Sequence, residues 1–143
     1  MDSISTITTK EEVAMNIETQ DQVTPEHLRA FADAWNRHDL EDLMSFMAED
    51  CMFQLSSGTN IDGTKYEGRD EVRAGYEAVL KAFPDGHWED DAHFVSGNRG
   101  VSEWIFSCTD KNGNLTKVRG CDIFTFCGSK ISVKNSFRKN IIS

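Results

Sequence analysis

Two acidic residues and an amide, Glu103, Asp122 and Asn135, stand in three successive segments in which apolar and polar residues alternate. Residues directly opposite one another in an antiparallel sheet share a face, with Cβ atoms about 4.5–5.5 Å apart. Two carboxyl groups that close cannot both ionise cheaply, so they would share a proton. The pattern therefore predicts cofactor-free acid–base chemistry, with Asp122 and Glu103 as catalytic residues and Asn135 orienting a carbonyl group.

The alignment of these three residues depends on two predicted hairpin turns. Asn112-Gly113 and Gly128-Ser129 are both typical of two-residue hairpin loops. With Asn112-Gly113 as a loop, counting outward along both strands pairs Glu103 with Asp122. With Gly128-Ser129 as a loop, the same counting pairs Asp122 with Asn135. A change of one residue in either turn would move a whole strand to the other face, and the row would not form.

The sheet face that carries this row is otherwise apolar, so it is predicted to lie against helices. Its other members are Ile105, Val118, Phe124, Phe126, Ile131, Val133 and Phe137. The residues expected to bind substrate beside Asn135 are Trp35, Tyr76, Phe124 and Phe126. Two other interpretations stay open: the row forms a buried hydrogen-bond network without function, or Glu103 turns outward at a bulge.

The opposite sheet face is predicted to form the interface of a homodimer. It would carry Trp104, Phe106, Cys121 and Ile123, together with Lys134 and Arg138 among other polar residues. No helix remains to cover this face, and exposed aromatic and aliphatic side chains of this kind are typical of protein interfaces.

The elements that must position these residues are three helices followed by long strands. Helix starts are predicted at Thr24-Pro25-Glu26, at Asp39 and at Gly68-Arg69-Asp70, since each begins with a capping residue followed by an apolar stripe. The predicted strands are 51–55, 87–96, 99–109, 115–127 and 130–139. Helices that precede a run of antiparallel strands predict an α+β fold. Residues 1–23 are interpreted as a flexible lead-in, and residues 24–143 as one domain.

Composition excludes several classes of function. The net charge of −9 disfavours binding to nucleic acids and to anionic membranes, which both require clustered basic residues. The four cysteines show no spacing typical of zinc sites, and the N-terminus does not resemble a signal peptide, so a cytoplasmic location is expected. His87 and His93 alternate with Glu89 and Asp91, but their expected position on the outer face makes a metal site the weaker interpretation.

Four segments carry a resemblance to a known superfamily. They are Phe31–Asp39, Phe46–Phe53, Tyr66–Val72 and Gly120–Phe126. Together they resemble nuclear transport factor 2-like proteins and, within them, SnoaL-like domains, over residues 25–139. The resemblance implies a cone-shaped, curved antiparallel sheet packed on three N-terminal helices, an open pocket and frequent homodimers. The position of Asp122 is often polar and faces the pocket in this family.

Activity differs widely within the superfamily, which includes isomerases, cyclases, dehydratases, epoxide hydrolases and binding modules. The favoured hypothesis is a cofactor-free enzyme of the isomerase, cyclase or hydrolase type, acting on a small, largely apolar molecule. The alternative is a non-catalytic domain that binds or senses a small ligand in the same pocket. A third hypothesis is an assembly domain in which the pocket has no role.

Overall fold

A computed structural model describes residues 22–142 of the 143-residue chain. The described elements, in chain order, are α1 (Pro25–Asn36), α2 (Leu40–Ser45), β1 (Met47–Gln54), β2 (Lys65–Glu67), α3 (Arg69–Ala82), β3 (His87–Ser96), β4 (Arg99–Thr109), β5 (Leu115–Cys127) and β6 (Lys130–Arg138). The strands form one sheet in the order β2-β1-β6-β5-β4-β3. Only the β1–β6 pair is parallel among these described strands. The predicted α+β class is confirmed.

Each helix begins where the sequence predicts. The Thr24 hydroxyl accepts a hydrogen bond from the His27 backbone amide at 3.2 Å, and the His27 ring accepts one from the Thr24 amide. The Asp39 carboxylate accepts a hydrogen bond from the Asp42 amide at 3.0 Å at the start of α2. Gly68 precedes α3 with a φ of 87°, a conformation that glycine adopts without strain. At α1 and α2, side chains thus satisfy backbone donors that a helix leaves free at its N-terminus.

The core lies between the helices and one face of the sheet, which we call the concave face; the other is the outer face. Helix α1 contributes Leu28, Phe31 and Trp35, and α3 contributes Val72 and Tyr76, all of them buried. The sheet contributes buried side chains from three strands, namely Phe53, Phe124, Phe126 and Ile131. Helical spacing on the helices and alternation on the strands therefore bury complementary apolar surfaces.

The β4–β5 loop has three residues, so the predicted pairing of Glu103 with Asp122 is wrong. Thr109 lies opposite Leu115, and the Asp110 amide donates to the Asn114 carbonyl at 2.9 Å. The Asp110 carboxylate also accepts hydrogen bonds from the backbone amides at 112 and 114, which stabilises the wider turn. As a result, Ser102 lies opposite Asp122.

A bulge in β6 makes the second predicted pairing wrong as well. The β5–β6 turn starts as predicted, with Cys127 opposite Lys130, but Thr125 lies opposite Val133, so Ser132 is the extra residue. The Ser132 hydroxyl donates to the Thr125 carbonyl at 3.1 Å. Beyond the bulge, Asn135 lies opposite Ile123, and its side chain is on the outer face.

These two shifts in register place the side chains of β4 and of most of β6 on the sheet face opposite to the predicted one. Trp104 and Phe106, predicted on the outer face, are buried on the concave face with exposed fractions of 5% and 3%. Glu103 is exposed on the outer face instead. The predicted row of three polar residues therefore does not form.

The predicted lead-in covers residues 1–23, of which residues 1–21 lie outside the described part of the chain. Val23, at its end, is buried against the core. No helix within residues 22–142 has the length and apolar character that crossing a membrane requires.

Candidate functional site

A cavity of about 300 Å³ opens between α3 and the concave face of the sheet. This volume lies at the lower end of the range for small-molecule sites. Seven aromatic side chains line it: Trp35, Phe53, Tyr66, Phe83, Trp88, Trp104 and Phe106. All three tryptophans of the chain are among them, so tryptophan fluorescence reports on this cavity.

Specific contacts fix the walls of this aromatic cavity. The Asn36 side chain donates to the Trp88 carbonyl and accepts from the Trp88 amide, both at 2.8 Å, which ties β3 to the end of α1. Gly75 of α3 allows the Tyr66 ring to pack directly on the helix, because a Cβ atom there would lie 2.8 Å from the ring. The rings therefore form a preorganised apolar surface.

The floor of the cavity is a buried polar cluster centred on Asp122. One carboxylate oxygen, Oδ1, accepts hydrogen bonds from Lys134 Nζ at 3.0 Å and from Ser136 Oγ at 2.6 Å. The other, Oδ2, accepts one from Trp104 Nε1 at 3.0 Å. The three donor residues line the aromatic cavity, whereas Asp122 lies one layer deeper.

Lys134 stands between its carboxylate partner and the aromatic walls. Its side chain is 8% exposed, and Nζ lies 4.8 Å from the centre of the Phe53 ring and 5.1 Å from that of Trp35. Burying an ion pair is costly unless its remaining hydrogen-bonding groups are satisfied. Here Ser136 accepts from Nζ at 2.8 Å, and the ring faces attract the cation. The cluster therefore holds a fixed ammonium group and a hydroxyl at the floor of an apolar cavity.

A second group of hydrogen-bonded polar side chains, formed by Asp91, His93 and Ser102, lies next to this cluster at a smaller cavity of about 20 Å³. His93 Nε2 lies 2.6 Å from the Asp91 carboxylate, and Nδ1 lies 2.7 Å from the Ser102 hydroxyl. The small cavity, which has room for one water molecule, is lined by Asp91, Ser102 and Asp122. No group of three or more potential metal-ligating side chains occurs in the part of the chain that the structure describes.

Three polar groups near the two cavities show how the surroundings act on them. Burial raises the pKa of the Tyr76 hydroxyl well above its ordinary value, and the nearby Asp122 charge adds to that effect. Partial burial is the largest single influence on the Asp91 carboxyl and raises its pKa, but the hydrogen bonds from His93 and from the Asp91 backbone amide, together with the nearby charges of His93 and Arg29, outweigh burial and lower the pKa overall. Trp35 Nε1 is a buried donor without a hydrogen-bond partner among residues 22–142, and its ring lines both cavities.

The structure separates the residues that the sequence analysis grouped as a site. Asp122 is buried in the polar cluster, Trp35 lines both cavities, and Phe124 lines the smaller one. Tyr76 and Phe126 are core residues that line neither cavity. The two residues placed on the outer face, away from both cavities, are Glu103 and Asn135.

Sequence reasoning missed Lys134 and Ser136, the direct neighbours of Asp122, because it assigned the wrong face to β6. It missed Trp104 for the same reason on β4. One signal was available: Asp110 precedes Lys-Asn-Gly, and an Asp followed by a glycine three positions later is typical of a three-residue hairpin loop. A second signal was the alternation of Trp104 and Phe106, because two large aromatic side chains favour the covered face of a sheet.

Comparison with known proteins identifies relatives of this fold. The family model described as SnoaL-like domain matches residues 28–133. Among curated proteins, no sequence matches the chain.

Solved structures of similar shape include a candidate polyketide cyclase from Xanthomonas campestris, 20% identical over 79% of this chain and 87% of its own, with a TM-score of 0.67. A nuclear transport factor 2-like protein of unknown function from Mesorhizobium loti is 24% identical over 79% of this chain and 88% of its own, with a TM-score of 0.65. TerC, crystallised with polyporic acid, is 16% identical over 81% of this chain and 92% of its own, with a TM-score of 0.69. At these identities the likeness establishes the fold.

Proposed function

The chain belongs to the family of SnoaL-like domains, and on that premise we propose that it binds a small, largely apolar molecule in the aromatic cavity and acts on it by cofactor-free proton transfer. The observation that carries the proposal is the buried Asp122–Lys134 pair, with Ser136 in contact with both partners. Reactions of the isomerase, cyclase or hydrolase type all use such transfers.

The contacts suggest a role for each group. A carbonyl oxygen of the substrate accepts a hydrogen bond from Lys134, whose positive charge stabilises the enolate that forms when a neighbouring carbon loses a proton. The Ser136 hydroxyl takes up that proton while passing its own to Asp122 Oδ1, 2.6 Å away. The reverse transfer at another position of the substrate would complete an isomerisation or a ring closure. Asp122 is thus the proton acceptor, although it does not reach the cavity itself.

Two relatives support a small-molecule role. One structural neighbour is a candidate polyketide cyclase, and TerC was crystallised with polyporic acid. A cavity of about 300 Å³ lined by aromatic side chains favours ligand binding over a purely structural role.

Exchange of α-protons tests the proposal without knowledge of the natural substrate. 1-Tetralone, an aromatic ketone with an enolisable carbon, is incubated with the protein in D₂O, and loss of its α-proton signal is followed by NMR. The proposal expects exchange well above the rate in buffer. Exchange at the buffer rate, with 1-tetralone shown to bind by tryptophan fluorescence, would contradict it.

A non-catalytic binding domain is the second candidate, and one observation favours it. Hydrogen-bond donors already occupy both oxygens of Asp122, and Asp122 does not line the larger cavity. In that case the carboxylate would only hold Lys134 in place for ligand recognition. Binding of aromatic ketones without any exchange would support this candidate.

We also propose that two copies of the chain associate through the outer face of the sheet. Apolar side chains lie on this face on four strands: Phe94, Val101, Ile105, Cys121, Ile123, Val133 and Phe137. Phe94 and Phe137 are 56% and 47% exposed, which is unusual for phenylalanine on a free surface.

All four cysteines are free thiols, which supports a location in the reducing cytoplasm.

A further inference from the structure

Charged side chains reach the aromatic cavity from one strand only. Lys134, Ser136 and Arg138 occupy alternate positions of β6, and all three line the cavity. Within residues 22–142, no acidic side chain lines it, although the chain has 24 acidic and only 15 basic residues. The cavity is therefore basic in a protein that is acidic as a whole.

The two cations of the cavity differ in how far their charge is neutralised. Lys134 is paired with Asp122 at 3.0 Å, so the pair as a whole carries no net charge. Arg138 has no salt-bridge partner among the residues that the structure describes. Its guanidinium lies over the rings of Phe83 and Phe106, at 5.8 and 5.4 Å from their centres. Arg138 thus brings an uncompensated positive charge to the edge of the cavity.

The position of Arg138 leaves its donors free to bind a ligand. Phe83 and Phe106, whose rings stand at 80° to each other, contact the guanidinium through their ring faces, and no hydrogen bond from its N–H groups to residues 22–142 accompanies these contacts. A planar guanidinium whose N–H groups are free in this way can form two parallel hydrogen bonds with a carboxylate. The neighbouring rings provide flat apolar contacts for the rest of such a ligand.

We infer that the cavity takes a planar aromatic molecule that carries an anionic oxygen group, with its rings against the aromatic walls and its charged group paired with Arg138. The inference rests on the proposed function, since it names the class of molecule that the same cavity binds. It adds a specificity-determining residue that lies outside the Asp122 cluster.

Calorimetric titration with cinnamate and cinnamamide tests the inference, because the two probes share a planar framework and differ in charge. We expect the unmodified protein to bind cinnamate about tenfold more tightly, the magnitude of one charge-assisted hydrogen-bonded contact at a partly exposed site. Arg138→Gln should remove that preference by weakening cinnamate binding alone. Arg119→Gln is the matched control, since Arg119 is an arginine of the outer face that pairs with Asp90, and it should keep the preference.

The outcomes separate the inference from the proposed function. Equal binding of both probes, or a preference for cinnamate that persists in Arg138→Gln, would overturn the role of Arg138 and leave the cavity as a binding site. Failure of both probes to bind would contradict the binding function itself, and the inference with it. Circular dichroism of both variants establishes that any loss of affinity is not a loss of fold.

Discussion

Lys134 and Asp122 form a buried ion pair between neighbouring strands, with Nζ 3.0 Å from Oδ1 and both side chains less than 10% exposed. Lys134 lines the floor of the aromatic cavity and Asp122 lies one layer deeper, where Ser136 and Trp104 supply the remaining hydrogen bonds to the carboxylate. The pair therefore bears both on the stability of the fold and on the proposed proton transfer. Each role can be tested by changing one partner at a time.

Removal of the cation should destabilise the fold strongly. Lys134→Met leaves the Asp122 carboxylate buried without its counterion, and the loss of one partner of a buried pair costs about 3–5 kcal/mol. Urea denaturation measures the change in the free energy of unfolding. The double variant Lys134→Met, Asp122→Leu should be more stable than the single variant, because no charge remains buried. A double variant less stable than Lys134→Met alone would show that the pair is not the origin of the loss.

Gly120 should be needed for the position of Trp104. A Cβ atom at residue 120 would lie 2.5 Å from two carbons of the Trp104 ring and 2.4 Å from the Phe137 carbonyl oxygen. We expect Gly120→Ala to cost about 1–3 kcal/mol, as overpacking does elsewhere, and to alter the near-ultraviolet circular dichroism of the tryptophans. Arg119→Ala, at the neighbouring position on the outer face, is the control and should leave that spectrum unchanged. An unchanged spectrum in Gly120→Ala would contradict this packing.

Asp91 should make stability depend on pH in the acid range. Partial burial raises its pKa in the folded protein, but the hydrogen bonds from His93 and from the Asp91 backbone amide, with the charge of Arg29 at 3.9 Å, lower the pKa overall. A carboxyl with a lowered folded pKa stabilises the fold fully above the unfolded value of about 3.9 and loses that contribution as pH falls through the folded pKa. The difference in unfolding free energy between the unmodified protein and Asp91→Asn should therefore be constant near neutrality and shrink below about pH 4. A difference that does not shrink would contradict the assigned contact.

A charge placed on the outer face should separate the proposed dimer. Ile123 lies near the middle of that face, opposite Asn135. Ile123→Glu would place a carboxylate in an apolar interface, where an unpaired charge is costly. Sedimentation at micromolar concentration should then report a dimer for the unmodified protein and a monomer for the variant. A monomer in both cases would remove the support for dimerisation.

The fold could be predicted because its signals are local. Helix starts at Thr24 and Asp39 depend on capping residues and apolar stripes within a few positions of each other. The last four strands follow from alternation and from glycine-containing turns, and their predicted limits agree closely with those observed. The N-terminal strand was predicted less well, since it begins at Met47 rather than at Cys51.

The site could not be predicted in the same way, because it depends on register between strands. One extra residue in the Asp110–Asn114 turn and one at Ser132 were enough to move Glu103 and Asn135 to the outer face. Each error is a single residue, yet it reverses every side chain beyond it. Asp122 was assigned to the correct face, because it lies on β5, and the two register errors concern the neighbouring strands β4 and β6.

The proton-transfer proposal is tested most directly by one matched pair of variants, Asp122→Asn and Glu103→Gln, in the α-proton exchange of 1-tetralone. Each change replaces a carboxylate by its amide, but Asp122 lies in the buried cluster and Glu103 is exposed on the outer face. The proposal predicts that Asp122→Asn loses at least a hundredfold in exchange rate, within the usual contribution of general acid–base catalysis, while Glu103→Gln retains the full rate. Equal rates in the two variants would contradict the role of Asp122.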